Sequence, residues 1–339
     1  MARKKSLEEQ AKFNYLNQAK MVSRHCPTLN MAGRNLTAMY LEGKLDEVYN
    51  RDTYTANIQK ILLRKSKANV LLTGPAGCGK TAIAERLAGV LAHRAVEQTA
   101  KEIKADYDYD SAVKAYHKAQ DEAWDNGEEF NMPFPEKEEV PKNILSNVVL
   151  FELSLTALIA GTQYRGQFEE KVQNVLNECK QYPNLILFID EIHQIVSTGS
   201  HCEGSEGLAQ MLKPALARKD ICVIGATTTE EAEFIWRDKA LARRFNEVKV
   251  TPLHGKCANE TAEKIMADYA KFHNIAVIDE CVNEILSKLS TFLPNTVFPD
   301  NFINVVDETL AGAKFDGLTE VDMSHFNAVL SRMAGVVIL

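Results

Sequence analysis

The stretch Asn69-Val70-Leu71-Leu72-Thr73-Gly74-Pro75-Ala76-Gly77-Cys78-Gly79-Lys80-Thr81-Ala82-Ile83-Ala84-Glu85-Arg86-Leu87-Ala88 decides the fold. Five strand-like residues lead into a glycine-rich turn, and helical spacing follows it. That is the context a phosphate-binding loop requires, beyond its letters. The glycines let successive backbone N–H groups curl toward phosphate oxygens, and the helix start adds unsatisfied donors. Lys80 reaches the terminal phosphates as a point charge, and Thr81 offers its hydroxyl to Mg²⁺. Blandly read, the stretch is a glycine turn before a helix; the full spacing and context favour the phosphate loop.

Working outward, Leu185-Ile186-Leu187-Phe188-Ile189-Asp190-Glu191 gives five apolar residues and then two carboxylates. A continuous apolar run suits a strand of a parallel sheet buried on both faces. Its carboxyl end is where such sheets bind ligands, so Asp190 can hold Mg²⁺ and Glu191 can polarise an attacking water. An acidic pair ending a strand is weak evidence alone and strong evidence behind a complete phosphate loop.

The 339 residues are enough for about two domains with real cores. Apolar content of 45% and charged content of 25% match an ordinary soluble globular protein. The basic start is followed by no apolar segment, which argues against a secretory signal, and no stretch reaches membrane-spanning length. Seven scattered cysteines without a C-x-x-C pair fit reduced thiols and a cytoplasmic setting. Cys78 lies at a helix start that favours a thiolate, or is simply a tolerated small residue. Residues 97–142 hold thirteen acidic and six basic side chains, which accounts for the whole formal charge of −7. A balanced body with an acidic insertion argues against general nucleic-acid affinity.

Residues 7–25 have helical periodicity ending at Pro27, and 53–65 read as an amphipathic helix. Beyond the loop, the acidic segment 97–142 is helical at first and then turn-rich. It is either a solvated excursion or a partner-docking surface. Asn147 to Leu153 is a second strand, and Gly161-Thr162-Gln163-Tyr164-Arg165-Gly166 interrupts the helix after it with an exposed, glycine-bracketed aromatic. In the loop 197–207, His201, Cys202 and Glu203 have poor spacing for a metal. Ile221 to Ala226 is a strand capped by Thr227, Thr228 and Thr229. Arg243 and Arg244 beside Phe245 are either surface decoration or, in a ring of identical subunits, a reach to a neighbour's nucleotide. Residues 259–339 are mostly helical, with Ile275–Ile278 at most a short ladder, and His254 and His273 read as structural.

Together these residues resemble the Clp-type AAA+ ATPases, specifically the first ATPase module of ClpA- and ClpB-like unfoldases. The resemblance runs from about Leu36 to Gly335, outside the acidic insertion. It rests on Leu36-Thr37 with Gly43-Lys44-Leu45-Asp46 and Asn50-Arg51-Asp52, on Gly161–Glu169, on Phe188–His193, on Ile224–Thr228, and on Leu241–Phe245.

The resemblance implies an α/β fold: a P-loop AAA+ large domain with a central parallel sheet flanked by helices, followed by a small α-helical lid. The expected boundaries are a helical extension over 1–35, the large domain over 36–252 and the lid over 253–339. The cofactors implied are ATP and Mg²⁺. Gly74, Pro75, Ala76, Gly77, Cys78, Gly79, Lys80 and Thr81 hold phosphates, and Val48 and Tyr49 line the adenine pocket. Thr81 and Asp190 hold the metal, Glu191 activates water, and Thr228 or its neighbour Thr227 senses the γ-phosphate. Arg243 and Arg244 act in trans, while Tyr164 and Arg165 form the pore loop that grips substrate.

The resemblance further implies a homo-oligomer, expected as a hexamer, that threads a polypeptide, with a protease or second ATPase ring as a possible partner and with neither nucleic acid nor membrane. Three departures stand out: Gln163 where a basic residue is usual, Asn50 in place of glycine, and Asn301 where Phe298-Pro299-Asp300-Asn301-Phe302-Ile303 would carry lysine. The rival expectations are an ATP-switched adaptor ring that recruits through the acidic insertion, and a DNA-remodelling ATPase.

Overall fold

Continuously buried strands and helices with one buried face make up the structure, a computed structural model that describes residues 2–65, 68–160, 165–197, 211–216, 220–278 and 281–338. Tyr164, His201, Cys202 and Glu203 lie outside the described residues. Two units pack within themselves: Met1–Asp46 with Leu87–Phe188 and Arg218–Cys222, and Glu47–Arg86 with Ile189–Ala217 and Val223–Leu339.

The first unit begins with the helix Ala2–His25. Pro27 does more than end it, because it opens a second helix, Pro27–Ala32, where a missing N–H costs nothing. Tyr15 is fully buried and donates to the Val148 carbonyl at 2.8 Å. Strand β1, Gly33–Asn35, was not expected from sequence; it pairs antiparallel with the later strand Val149–Leu153, Gly33 opposite Leu153. A Cβ on Gly33 would lie 2.0 Å from the Glu152 carbonyl oxygen, so the close pairing requires glycine. Numbered along the chain, the remaining strands are β2 (Asn69–Thr73), β3 (Val149–Leu153), β4 (Leu185–Ile189), β5 (Cys222–Thr227) and β6 (Phe245–Lys249). β3 runs parallel to β4, with Val149 opposite Leu185.

The helix that starts at Lys80 continues without a break to Asn126, 47 residues in all. Gly89 sits on the Tyr40 ring, and Leu91, Ala92 and Ala95 are buried. Farther on the helix loses its buried face, and the chain turns at Gly127, whose φ is +69°. Residues 128–143 return along it without regular structure. Tyr116 holds that return by edge-on contacts with Phe130 and Phe134, at 5.0 and 5.1 Å between ring centres. Lys137 pairs with Asp106.

The second unit holds the strands β5, β2 and β6 in that order, all parallel. Asn69 stitches their starts together: its Oδ1 accepts from Val223 N at 2.9 Å, and its Nδ2 donates to Arg244 O at 3.3 Å. The helices Gly255–His273, Cys281–Phe292, Asp300–Phe315 and Met323–Ala334 share a core that includes Ile285, Phe302, Val306, Leu310, Phe326 and Leu330. Each large apolar side chain buried there contributes about 1.5–3 kcal/mol. The short ladder expected near Ile275 exists as Ala276–Val277 (β7) beside Glu320–Val321 (β8), in parallel. His273 is structural as expected: it is buried, with Nε2 2.7 Å from Asp307 Oδ1.

Candidate active site

Strand β2 is completely buried, and it delivers the chain into the turn at Gly74. A Cβ there would lie 2.3 Å from the Val250 carbonyl oxygen. Gly77 and Gly79 have φ of +75° and +88°, the left-handed region that glycine enters without strain. Gly77 has a second reason to be glycine, since its Cβ would fall 2.7 Å from Asp300 Cβ. Cys78 points into the protein, and burial pushes its thiol up against the opposing pull of Lys80 and Arg51. It therefore fills space, and its burial disfavours the thiolate that a helix start would favour.

Lys80 heads the helix and is buried, with its ammonium donating to the carbonyls of Gly74 and Pro75 at 2.9 Å each. Thr81 Oγ1 donates to Asp190 Oδ2 at 2.5 Å, and Asp190 Oδ1 accepts from Glu191 N at 2.9 Å. A hydroxyl and a carboxylate meeting beside a cradle of N–H groups is a donor set that fits Mg²⁺ and a triphosphate. Glu191 leaves the strand with φ +50° and a side chain 47% exposed. Burial pushes its carboxyl above the ordinary value and the charge of Glu231 adds to the push, against His193 and Lys80. Gly225 on β5 leaves room for Ile192, whose Cδ1 would be 2.5 Å from a Cβ there.

At the end of β5, Thr227 is buried and its hydroxyl lies 2.9 Å from His193 Nδ1. Thr228 is half-buried and donates its hydroxyl to Glu231 Oε2 at 2.7 Å. Burial alone would raise the Glu231 carboxyl, but the Thr228 hydrogen bond and the neighbouring His193 prevail and hold it below its ordinary value. The ligand-type atoms of Glu191, His193 and Glu231 all lie within 4.8 Å of one another. Lys80, Thr81, Asp190, Glu191, Thr227 and Thr228 thus meet in one place.

Two further groups complete that place: Arg51, which the sequence showed only as part of a motif without a role, and Glu231, which it did not single out. Arg51 is 2% exposed and donates to the Cys78 carbonyl at 2.6 Å and the Thr251 carbonyl at 3.0 Å. Burial lowers its pKa, and it clamps the loop from behind. Glu231 is the other, and three residues of spacing from Thr228 was its faint signal. Asn50, which stands where glycine was expected, has φ +54° and donates to Thr261 Oγ1 at 2.9 Å. Asparagine tolerates that backbone better than most residues. Val48 and Tyr49 are half-buried; the Tyr49 hydroxyl donates to Asp268 Oδ2 at 2.8 Å, with Lys264 over its ring at 4.7 Å. Asn301 turns inward to Thr296, leaving Asp300 beside the loop. The Asn301 Oδ1 is buried without a hydrogen-bond partner among the described residues.

Arg243 and Arg244 are exposed between the buried anchors Leu241 and Phe245. Arg243 Nε donates to Lys239 O at 3.0 Å, and Asp238 caps the short helix ahead of the pair. Arg165 begins the helix Arg165–Gln181. Among the described residues no helix is long and apolar enough to cross a membrane.

The model of the family described as "ATPase family associated with various cellular activities (AAA)" matches residues 70–253. The ATP-dependent Clp protease ATP-binding subunit ClpL of Staphylococcus aureus (strain USA300) is 35% identical over 286 residues, 84% of this chain and 34% of ClpL. The S. cerevisiae Hsp104–ADP complex superposes with a TM-score of 0.69 at 27% identity, covering 91% of this chain and 46% of that one. The S. cerevisiae Hsp104:casein complex in its extended conformation gives 0.68 at 26% identity, covering 91% and 45%. The chain spans about a third of the length of the curated relatives it matches.

Proposed function

The chain belongs to the AAA family of ATPases and is of the Clp type, and from that premise we propose that it burns ATP to remodel proteins, as an oligomeric ring, expected as a hexamer, that threads polypeptide through its pore. The observation that carries this reading is the 2.5 Å contact of Thr81 Oγ1 with Asp190 Oδ2. It joins the phosphate loop to the strand end that holds Glu191.

Lys80 exchanges its two carbonyl partners for phosphate oxygens when ATP arrives. Thr81 and Asp190 would hold Mg²⁺, which when bound neutralises charge on the phosphates. Glu191 orients the attacking water and takes its proton while the bond from the γ-phosphorus to the ADP oxygen breaks. Thr228 or Thr227 contacts the γ-phosphate. Val48 and Tyr49 flank the base. Arg243 and Arg244, being exposed, suit action on a neighbouring copy's nucleotide. Tyr164, with Arg165, supplies the large and sequence-tolerant contact that gripping a polypeptide needs. The capture of casein by Hsp104 supports a polypeptide substrate, and the name of ClpL supports a protease partner.

The test is Tyr164→Ala in full-length protein with Mg-ATP, read by ATPase rate and by unfolding of a tagged fluorescent protein. Unfolding is expected to collapse with the ATPase retained; unfolding at the parental rate would remove the threading reading. A protein that stays monomeric with Mg-ATP at every concentration would remove the ring. One observation favours a second reading, recruitment of a partner through the acidic segment: Trp124, near its turn, is 86% exposed. Recruitment would be untouched by Tyr164→Ala.

A further inference from the structure

Glu191 has a difficult placement. Its backbone is left-handed at φ +50°, and its side chain is 47% exposed. A carboxylate in that position gains direction from its neighbours. One such neighbour is His193, with Nδ1 3.4 Å from Glu191 Oε2.

His193 is itself held by a group that has no role in the reading above. Its Nδ1 lies 2.9 Å from Thr227 Oγ1 and 3.3 Å from Glu231 Oε2. The same Oε2 accepts from Thr228 Oγ1 at 2.7 Å, from Thr228 N at 3.4 Å and from Thr227 Oγ1 at 3.4 Å. In return Glu231 N donates to Thr228 Oγ1 at 3.2 Å. Each threonine hydroxyl carries one proton, and Glu231 is the acceptor that takes both. With its proton drawn that way, Thr227 presents a lone pair to His193, which fixes where the imidazole sits.

We propose that Glu231 is a positioning residue for hydrolysis: through His193 and the two threonine hydroxyls it sets the place of Glu191 relative to the end of β5. This rests on the assignment of the Gly74–Glu191 site as the ATPase centre. A γ-phosphate that draws a proton from either threonine must take it from Glu231, so phosphate arrival and the aim of Glu191 are linked through one carboxylate. Among the described residues, the hydrogen bonds shown for the Glu231 side chain go to Thr227 and Thr228, and none goes to the phosphate loop or the metal pair. Its main effect therefore falls on the rate of the chemical step, with nucleotide affinity moved only by the exchange of one threonine hydrogen bond.

The experiment measures steady-state ATPase and binding of a fluorescent ATP analogue for full-length Glu231→Ala, Glu231→Asp and Glu231→Gln beside Glu191→Gln. Glu231→Ala is expected to lower kcat by about 10²-fold, the scale of a roughly 1 Å misplacement, with KM and analogue Kd within about twofold of the parent. Glu231→Asp, which keeps the charge but withdraws the oxygens, is expected to share the loss. Glu231→Gln keeps an acceptor at the right reach and should recover about tenfold of it. If the alanine variant does not fold, the aspartate and glutamine pair decides. Overturning results are an alanine or aspartate variant with parental kcat beside an inactive Glu191→Gln, or an equal rise in KM and Kd with no rescue by glutamine. Parental turnover by Glu191→Gln would instead bring down the underlying site assignment.

Discussion

The nucleotide cradle and the arginine pair belong to the same unit, yet their side chains are committed in opposite ways. In the cradle Lys80 is tied to two carbonyls, Thr81 to Asp190 and Thr228 to Glu231, so the chain holds its own groups where a ligand would replace their partners. Arg243 and Arg244 are exposed between buried anchors, and among the described residues the one side-chain bond shown for the pair is from Arg243 Nε to the Lys239 carbonyl of its own short helix. A preorganised set can be understood from one copy of the chain. Exposed guanidinium groups acquire their chemistry from whatever comes to them.

The strongest way to break this contrast is to remove the pair. Arg243→Ala with Arg244→Ala should reduce ATPase by about 10³-fold or more, the range of an arginine supplied in trans, while a fluorescent ATP analogue still binds. Partial recovery on mixing with Glu191→Gln would sharpen the point, and a fully active double variant would end it. Lys80→Ala should weaken analogue binding by about 10²-fold, since a charge-assisted hydrogen bond contributes ~1.5–3 kcal/mol. Unchanged binding would mean that the ammonium never leaves its carbonyl partners. Smaller is the effect of Gly77→Ala, expected to cost ~1–2 kcal/mol through its left-handed backbone, with more from the collision with Asp300. Thermal denaturation reads it, and adding Asp300→Gly should relieve the collision but not the backbone strain. The slightest effect is chemical: a thiol alkylating reagent should label exposed Cys257 and spare buried Cys78, as peptide mapping would show. Rapid labelling of Cys78 would contradict its inward placement.

The central motifs were legible because their chemistry is local. A strand, a glycine turn, Lys80 and Thr81 occupy consecutive positions, and the apolar run before Asp190 announces a buried strand. What escaped depends on partners far along the chain. β1 is three residues, Gly-Arg-Asn, with no alternation to read, and it exists because β3 lies beside it. Arg51 was visible as part of a motif, but its clamp on the Cys78 carbonyl joins residues 27 apart. Cys78 shows local chemistry overruled: a helix start favours its thiolate, and burial prevails. Asn50 looked like a departure from glycine, yet its φ of +54° preserves the conformation that glycine would have supplied.

At Gly77 a missing methyl group lets Asp300, 223 positions later, stand where a side chain would have been. The turn proposed to wrap a triphosphate therefore has beside it the first residue of the helix Asp300–Phe315. If, as proposed, anionic phosphate oxygens fill that turn, they would meet a carboxylate within touching range, which would have to yield or resist. On the proposed reading, occupancy of the turn would thus be felt directly, by contact and charge, at a residue 223 positions away in sequence.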